Sequence, residues 1–223
     1  MLITGEPFFD YVAEPVSVAF QARTANGSDL TTYTFAGAAI GAANPRRSII
    51  IGITNSGGTL RTLNTVTVDG VSAQAIFEQQ YTGGGDFGCR FWGVQLPDTN
   101  TNTTGDIVLT FSGSITHCVI HVWAVYNLQS LTALDTAADT GVNVTASLNL
   151  DVATSGAAFG LINGNASGSG SWLGLTLDSN GVTETVGSSA ASAVFAGPET
   201  NRTITADMTG TQTAQVAASI SLR

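Results

Sequence analysis

Lysine is absent from this chain. Its seven basic residues are all arginine: Arg23, Arg46, Arg47, Arg61, Arg90, Arg202 and Arg223. That excludes a lysine-based phosphate loop, a Schiff base and a lysine general base. Histidine and cysteine are almost as scarce, with two of each: His117 and His121, Cys89 and Cys118. Two cysteines cannot build a disulfide framework. Charged residues make up 10% of the chain, against a usual value of about 25%. The net charge of −9 opposes binding to nucleic acid or to an anionic membrane, and only Arg46-Arg47 forms a basic dipeptide. No run approaches the roughly 18 apolar residues of a spanning helix. Met1 to Asp10 lacks a basic segment followed by a long apolar one, so no secretory signal is read and synthesis in the cytoplasm is expected. Without such a signal, the four Asn-x-Ser/Thr matches at Asn26, Asn102, Asn165 and Asn201 are read as chance.

What replaces charge is glycine, 26 residues of it, with many threonines, serines, asparagines and alanines. That makeup is poor for helices and suits short strands joined by tight turns. Alternating runs recur along the chain, and no sustained 3.6-residue period accompanies them. Arg47 to Thr54 holds Ile49, Ile50, Ile51 and Ile53, a near-continuous apolar run that predicts a strand buried on both faces. Asn64 to Val68 and Val71 to Gln79 flank Asp69-Gly70, the signature of a two-residue hairpin turn. Ile115 to Tyr126 alternates, with His117, Val119, His121, Trp123 and Val125 on one face and Cys118, Ile120, Val122, Ala124 and Tyr126 on the other. The expected fold is all-β, an antiparallel β-sandwich, with a short helix near Leu128 to Leu134 left open. Residues 1–14 read as an N-terminal arm and residues 15–223 as a single β-sandwich domain; a second domain from about residue 130 is the alternative. Ile50, Ile51, Phe111, Val122 and Trp123 are the expected core.

Chemistry-bearing residues are few. His117 and His121, four apart on a strand, lie roughly 13 Å from one another and cannot share a metal. Cys118 and His117 are adjacent and so point to opposite faces, which rules out a dyad. A Cys89–Cys118 disulfide and two free buried thiols both remain open. Asp178-Ser-Asn-Gly181 begins like a calcium loop but lacks the later acidic positions, and reads as a turn with Gly181 in the left-handed region. No role is assigned to Asp135 and Asp139. Gly83 to Gly88 reads as a hairpin tip, and Gly164 to Ser171 as a loop between strands. No catalytic residue, metal site or cofactor is expected. Phe8, Phe9 and Tyr11, set among Glu6, Asp10 and Glu14, are the candidate partner-binding residues, either as a docking arm or as a first edge strand.

Between Thr32 and Leu128 the sequence resembles a known family. Tyr33-Thr-Phe35, Ile40-Gly-Ala42, Arg46-Arg-Ser-Ile-Ile-Ile-Gly-Ile53 and Thr65-Val-Thr-Val-Asp-Gly-Val71 carry the likeness. So do Thr104-Gly-Asp-Ile-Val-Leu-Thr-Phe-Ser-Gly113 and Cys118-Val-Ile-His-Val-Trp-Ala-Val-Tyr126. These stretches resemble jelly-roll-like β-sandwich structural proteins of tailed bacteriophages and prophages. The resemblance implies a virion component assembled in the host cytoplasm: a capsid decoration or head-spike subunit, or alternatively a tail fibre or baseplate part. It implies a homo-oligomer that meets phage shell or tail proteins, with no catalytic residues to carry over. A carbohydrate-binding, lectin-like module that holds a surface glycan is the competing reading, with Trp92, Trp172 and Tyr81 as possible stacking platforms.

Overall fold

A computed structural model describes residues 14–83, 86–142, 145–165, 170–209 and 214–223. In chain order the strands are β1 (Ser17–Asn26), β2 (Leu30–Ala39), β3 (Arg47–Gly57), β4 (Leu63–Val68), β5 (Val71–Ser72), β6 (Gln74–Tyr81), β7 (Asp86–Gln95), β8 (Thr104–Ile115) and β9 (His117–Tyr126). They continue as β10 (Asp135–Gly141), β11 (Thr145–Val152), β12 (Ala157–Gly164), β13 (Gly170–Leu173), β14 (Thr176–Thr183), β15 (Val186–Val194), β16 (Glu199–Met208) and β17 (Gln215–Leu222). The described residues contain no helix, and all strand pairs are antiparallel. The all-β, antiparallel sandwich class expected from the sequence is what the chain adopts.

Four sheets stack face to face. The outer sheet β2-β8-β4-β5 covers one face of the inner sheet β1-β9-β3-β7-β6. The second inner sheet, β10-β17-β12-β15-β14, covers the other face and is covered in turn by the outer sheet β11-β16-β13. Three apolar layers fill the gaps. Tyr33, Ile49, Ile51, Ile107, Phe111 and Val122 lie in the first. Ile50, Phe91, Trp123, Phe159, Leu161 and Ile220 lie in the middle one, and Leu148, Leu150, Ile162, Ile204 and Met208 in the third. The two inner sheets are therefore buried on both faces. This explains why β3 is buried at ten consecutive positions, Arg47 to Ser56, and β12 and β17 along their whole length. The five expected core residues are all buried.

The two inner sheets have the same strand order when β1, β9, β3, β7 and β6 are matched to β10, β17, β12, β15 and β14. The outer sheets follow suit, with β2, β8 and β4 matching β11, β16 and β13. Each inner sheet also carries an edge-strand bulge at the same place. Ile76 is the extra residue between the pairs Ala75–Trp92 and Phe77–Phe91; Asp178 is the extra residue between Leu177–Ala191 and Ser179–Ala190. Bulges are specific features of a ladder, and their coincidence marks the halves as structural repeats. Aligning them matches Gly52 with Leu161 and His121 with Ala218. The halves meet about a pseudo-two-fold axis: β1 lies against β14 as β10 lies against β6. Near that axis a Cβ on Gly52 would stand 2.8 Å from Leu161 Cδ2 and 2.9 Å from Trp123 Cζ3, so only glycine lets the central strands approach this closely.

Several local expectations change. The run from Val71 to Gln79 is not one strand. The chain leaves the outer sheet after Ser72, Ala73 donates its N–H to Val66 O at 2.9 Å, and β6 joins the inner sheet. The Asp69-Gly70 turn is as expected, with φ of 50° and 79°. Residues 128–134 form no helix. Gln129 and Ser130 donate to Arg223 O at 2.8 and 3.0 Å, and Leu134 donates to Ser221 O at 2.9 Å, which ties the connection to β17. Asp178-Ser-Asn-Gly181 is not a turn but the middle of β14, with the bulge at Asp178. β10 has no counterpart among the expected strands, because its Asp, Thr and Ala residues carry no apolar alternation.

Gly52→Ala is expected to destabilise the protein by about 1–3 kcal/mol through overpacking, and Leu161→Ala by about 2–5 kcal/mol through the cavity it leaves. Urea unfolding of both single variants and the double variant checks this. The double variant is expected to lose clearly less than the sum, because the added methyl fills the space that Leu161 vacates.

Candidate functional site

Strands buried on both faces must satisfy their polar side chains internally. Arg47 is fully buried, and Asn100 stands between it and the Asp69 carboxylate. Its Nη1 donates to the carbonyls of Gly41 and Asn102 at 2.7 and 2.8 Å, and its Nη2 donates to Asn100 O and Oδ1 at 3.2 and 3.0 Å. It thereby pins two loops, so the one basic dipeptide is half structural. Arg90, also fully buried, donates to Asn55 Oδ1 and to Arg61 O at 2.7 Å, lies 3.5 Å from Glu78 Oε2, and sits 5.6 Å from the Phe111 ring centroid. Asn163 reaches across the middle layer to the carbonyls of Asn55 and Gly88 at 2.8 and 3.2 Å.

The densest polar cluster lies where β1 and β9 face β14 and β15. Arg23 and His121 are cross-strand partners on that face. His121 is fully buried; its Nδ1 is 2.8 Å from Ser179 Oγ, and its Nε2 has no partner among the described residues. Burial first, and the Arg23 charge second, hold this imidazole down to about 3. Arg23 Nη2 donates to Ser188 Oγ at 3.2 Å and to Thr183 Oγ1 at 3.5 Å, and burial lowers its own affinity for a proton. Trp123 Nε1 donates to Asp178 Oδ2 at 2.8 Å; burial raises that carboxyl, while hydrogen bonds from Ser192 and Trp123 oppose the rise. At the rim, His117 Nε2 meets Glu184 Oε2 at 2.9 Å, with Nδ1 2.9 Å from Ser56 Oγ. The cluster contains serine, histidine and aspartate, but not as a triad. Ser179 bonds Nδ1, the other ring nitrogen is empty, and Asp178 is bonded to an indole.

His117 and His121 share a face, as expected, but serve different partners. Among the described residues no group of three His, Cys, Asp or Glu side chains is placed to hold a metal ion. Cys89 lies in the middle apolar layer and Cys118 in the first, on opposite faces of one sheet with β3 between their strands. Both are free thiols, and burial pushes both up, Cys118 to about 12. Trp92 is buried, its Nε1 bonded to Glu78 Oε1 at 2.9 Å. Trp172 covers Gly160 and donates to Ser189 Oγ at 2.8 Å, and Tyr81 packs against the middle layer. Trp92 thus belongs to the packing, while Trp172 and Tyr81 are half-buried. Phe8, Phe9 and Tyr11 lie outside the described residues. The β6–β7 pairing is the hairpin expected there, but the tip is shorter than Gly83 to Gly88: Asp86, Phe87 and Gly88 already belong to β7, and Gly88 pairs with Gln80 and Asn55.

Two features had no sequence signal strong enough to find them. Asp135 Oδ2 accepts the N–H of Asp151 at 2.8 Å, and Asp139 Oδ2 accepts that of Ser147 at 3.1 Å. Two carboxylates of β10 thus cap the edge of β11. A cleft of about 300 Å³ opens between the halves, lined by Glu14, Asn127, Gln129, Thr154, Ser155 and Arg223. No protein-family model, no curated protein and no solved structure matches this chain.

Native Cys89 and Cys118 are expected to resist a thiol reagent at neutral pH, and both to react once the chain is unfolded, as a titration with and without denaturant reads directly. Removing both carboxylates in Asp135→Ala/Asp139→Ala is expected to free edge N–H groups and promote association. Light scattering against time checks this, with unchanged far-UV circular dichroism as the control for folding.

Proposed function

We propose that this chain is a structural subunit of a tailed-phage-like particle, a capsid decoration or head-spike protein that acts by contact and not by chemistry. The observation that carries the reading is the fate of its reactive side chains. Arg47 and Arg90 are spent on holding sheets and loops together, Asp178 is bonded to an indole, His121 is buried with one nitrogen on Ser179, and the thiols are sealed in apolar layers. A four-layer stack with few charges supplies a stiff body and extended outer faces. The sequence resemblance supplies the setting. Residues 1–14, with Phe8, Phe9 and Tyr11, are the proposed contact segment, because aromatic anchors dominate many interfaces.

A second reading, a glycan-binding module, draws on the cleft between the halves. Its carboxylate, amides, hydroxyls and guanidinium are donors and acceptors of the kind that bind a sugar.

The purified chain is expected to co-sediment with phage shells, and deletion of residues 1–14 to abolish this while circular dichroism stays unchanged. Co-sedimentation that survives the deletion would move the contact to the outer sheets. A glycan array separates the second reading: a signal lost in Arg223→Ala would favour it over the shell.

A further inference from the structure

The pseudo-two-fold axis gives the molecule two equivalent seams between its halves. In one, β6 and β7 face β10 and β17; in the other, β14 and β15 face β1 and β9. The first seam is apolar, with Ile76, Phe77, Phe91, Ala218 and Ile220 in its packing. The second has diverged at matched positions. Ile76 is replaced by Asp178, Ala218 by His121, Ala138 by Arg23 and Gly93 by Ser192. A polar group in a fully packed seam weakens it unless something is gained, since an apolar pair already fills the equivalent place.

We propose that the His121 seam is an acid-operated latch: protonation of His121 opens the contact of β1 and β9 with β14 and β15, while the apolar seam holds the halves together.

The groups facing His121 give the latch its direction. Arg23, its partner on β1, already places one positive charge on this face. β15 contributes only the hydroxyls of Ser188 and Ser192, and the neighbouring positions on β3 and β12, Gly52 and Leu161, carry no charge. Asp178 on β14 is the carboxylate in the seam, and it is turned to the Trp123 indole. Glu184 is held at the rim by His117. A proton on His121 would therefore create a second buried cation beside Arg23, while its free Nε2 has no acceptor among the described residues.

The sign of the pH dependence follows. His121 is held near 3 in the fold, against an ordinary 6.5. Below about 6.5 the opened chain binds a proton that the closed fold refuses, so the seam weakens steadily as pH falls toward 3. Asp178 works the other way. Its carboxyl is raised, so acid relieves the burial of its charge and steadies the closed form. His121 prevails because it is fully buried and its displacement is the larger.

Hydrogen–deuterium exchange of the whole chain at about pH 7 and about pH 5, corrected for intrinsic rates, tests the latch. In the native sequence, exchange in β14 and β15 is expected to rise about tenfold or more at the lower pH, while β6 and β17 stay protected. His121→Gln, which keeps a partner for Ser179 without a titrating ring, is expected to abolish the rise. Arg23→Gln, which leaves His121 in place, is expected to move the opening to lower pH, and keeps the test alive should His121→Gln fold poorly. An acid response that is unchanged in both variants, or equal at the two seams, or absent from the native chain, overturns the proposal.

Discussion

The constraint on which this structure depends is the burial of two sheets on both faces. Ordinarily one face of an antiparallel sheet meets water and takes the polar residues. Here the middle layer of Ile50, Trp123, Phe159 and Leu161 removes that outlet for both inner sheets at once. Polar side chains on those strands then look for partners inside the protein, which is why Arg47 is surrounded by carbonyls and Asn163 bridges to the opposite sheet, while a few atoms such as His121 Nε2 find none among the described residues. The low charge content of the chain belongs to the same constraint, since a buried charge without partners would destabilise the stack.

The strands that were easiest to read in the sequence are those whose apolar content is large. The isoleucine run of β3 and the alternation of β9 announced both their existence and their faces. The second half was harder because its core is built from small residues. β12, β17 and β15 up to Ser192 are as deeply buried as β3 but are rich in alanine, serine and glycine, whose patterns resemble loops. That difference also hid the repeat: Ile49 and Ile51 of β3 stand where β12 has Ala158 and Gly160, and Trp172 fills the space over that glycine. Asp178-Ser-Asn-Gly181 looked like turn chemistry, and the bulge that uses Asp178 is a long-range feature that no local window contains. Asp135 and Asp139 sit an even number of residues apart, so they share a face of a strand, but their acceptors' partners lie on another sheet.

Repetition followed by divergence is a simple route from a stable body to a responsive one. Two matched seams allow one to carry the cohesion while the other accumulates groups that packing alone would reject. Trp123 shows the transition within a single residue: its ring packs edge-on against Phe159 at 5.3 Å between centroids, and its indole N–H is turned to Asp178.

The carboxylates that cap β11 have a consequence for how the chain finds its fold. Asp135 and Asp139 are four residues apart on β10, and the N–H groups they accept, from Asp151 and Ser147, are four apart on β11 and run in the opposite order. Slipping β11 by one residue would turn both donors inward and break both contacts, leaving Asp135 only the N–H of its neighbour Thr136. The small side chains of this half discriminate weakly between neighbouring alignments. The two aspartates therefore tie the edge strand of one sheet to the edge strand of another in a single alignment.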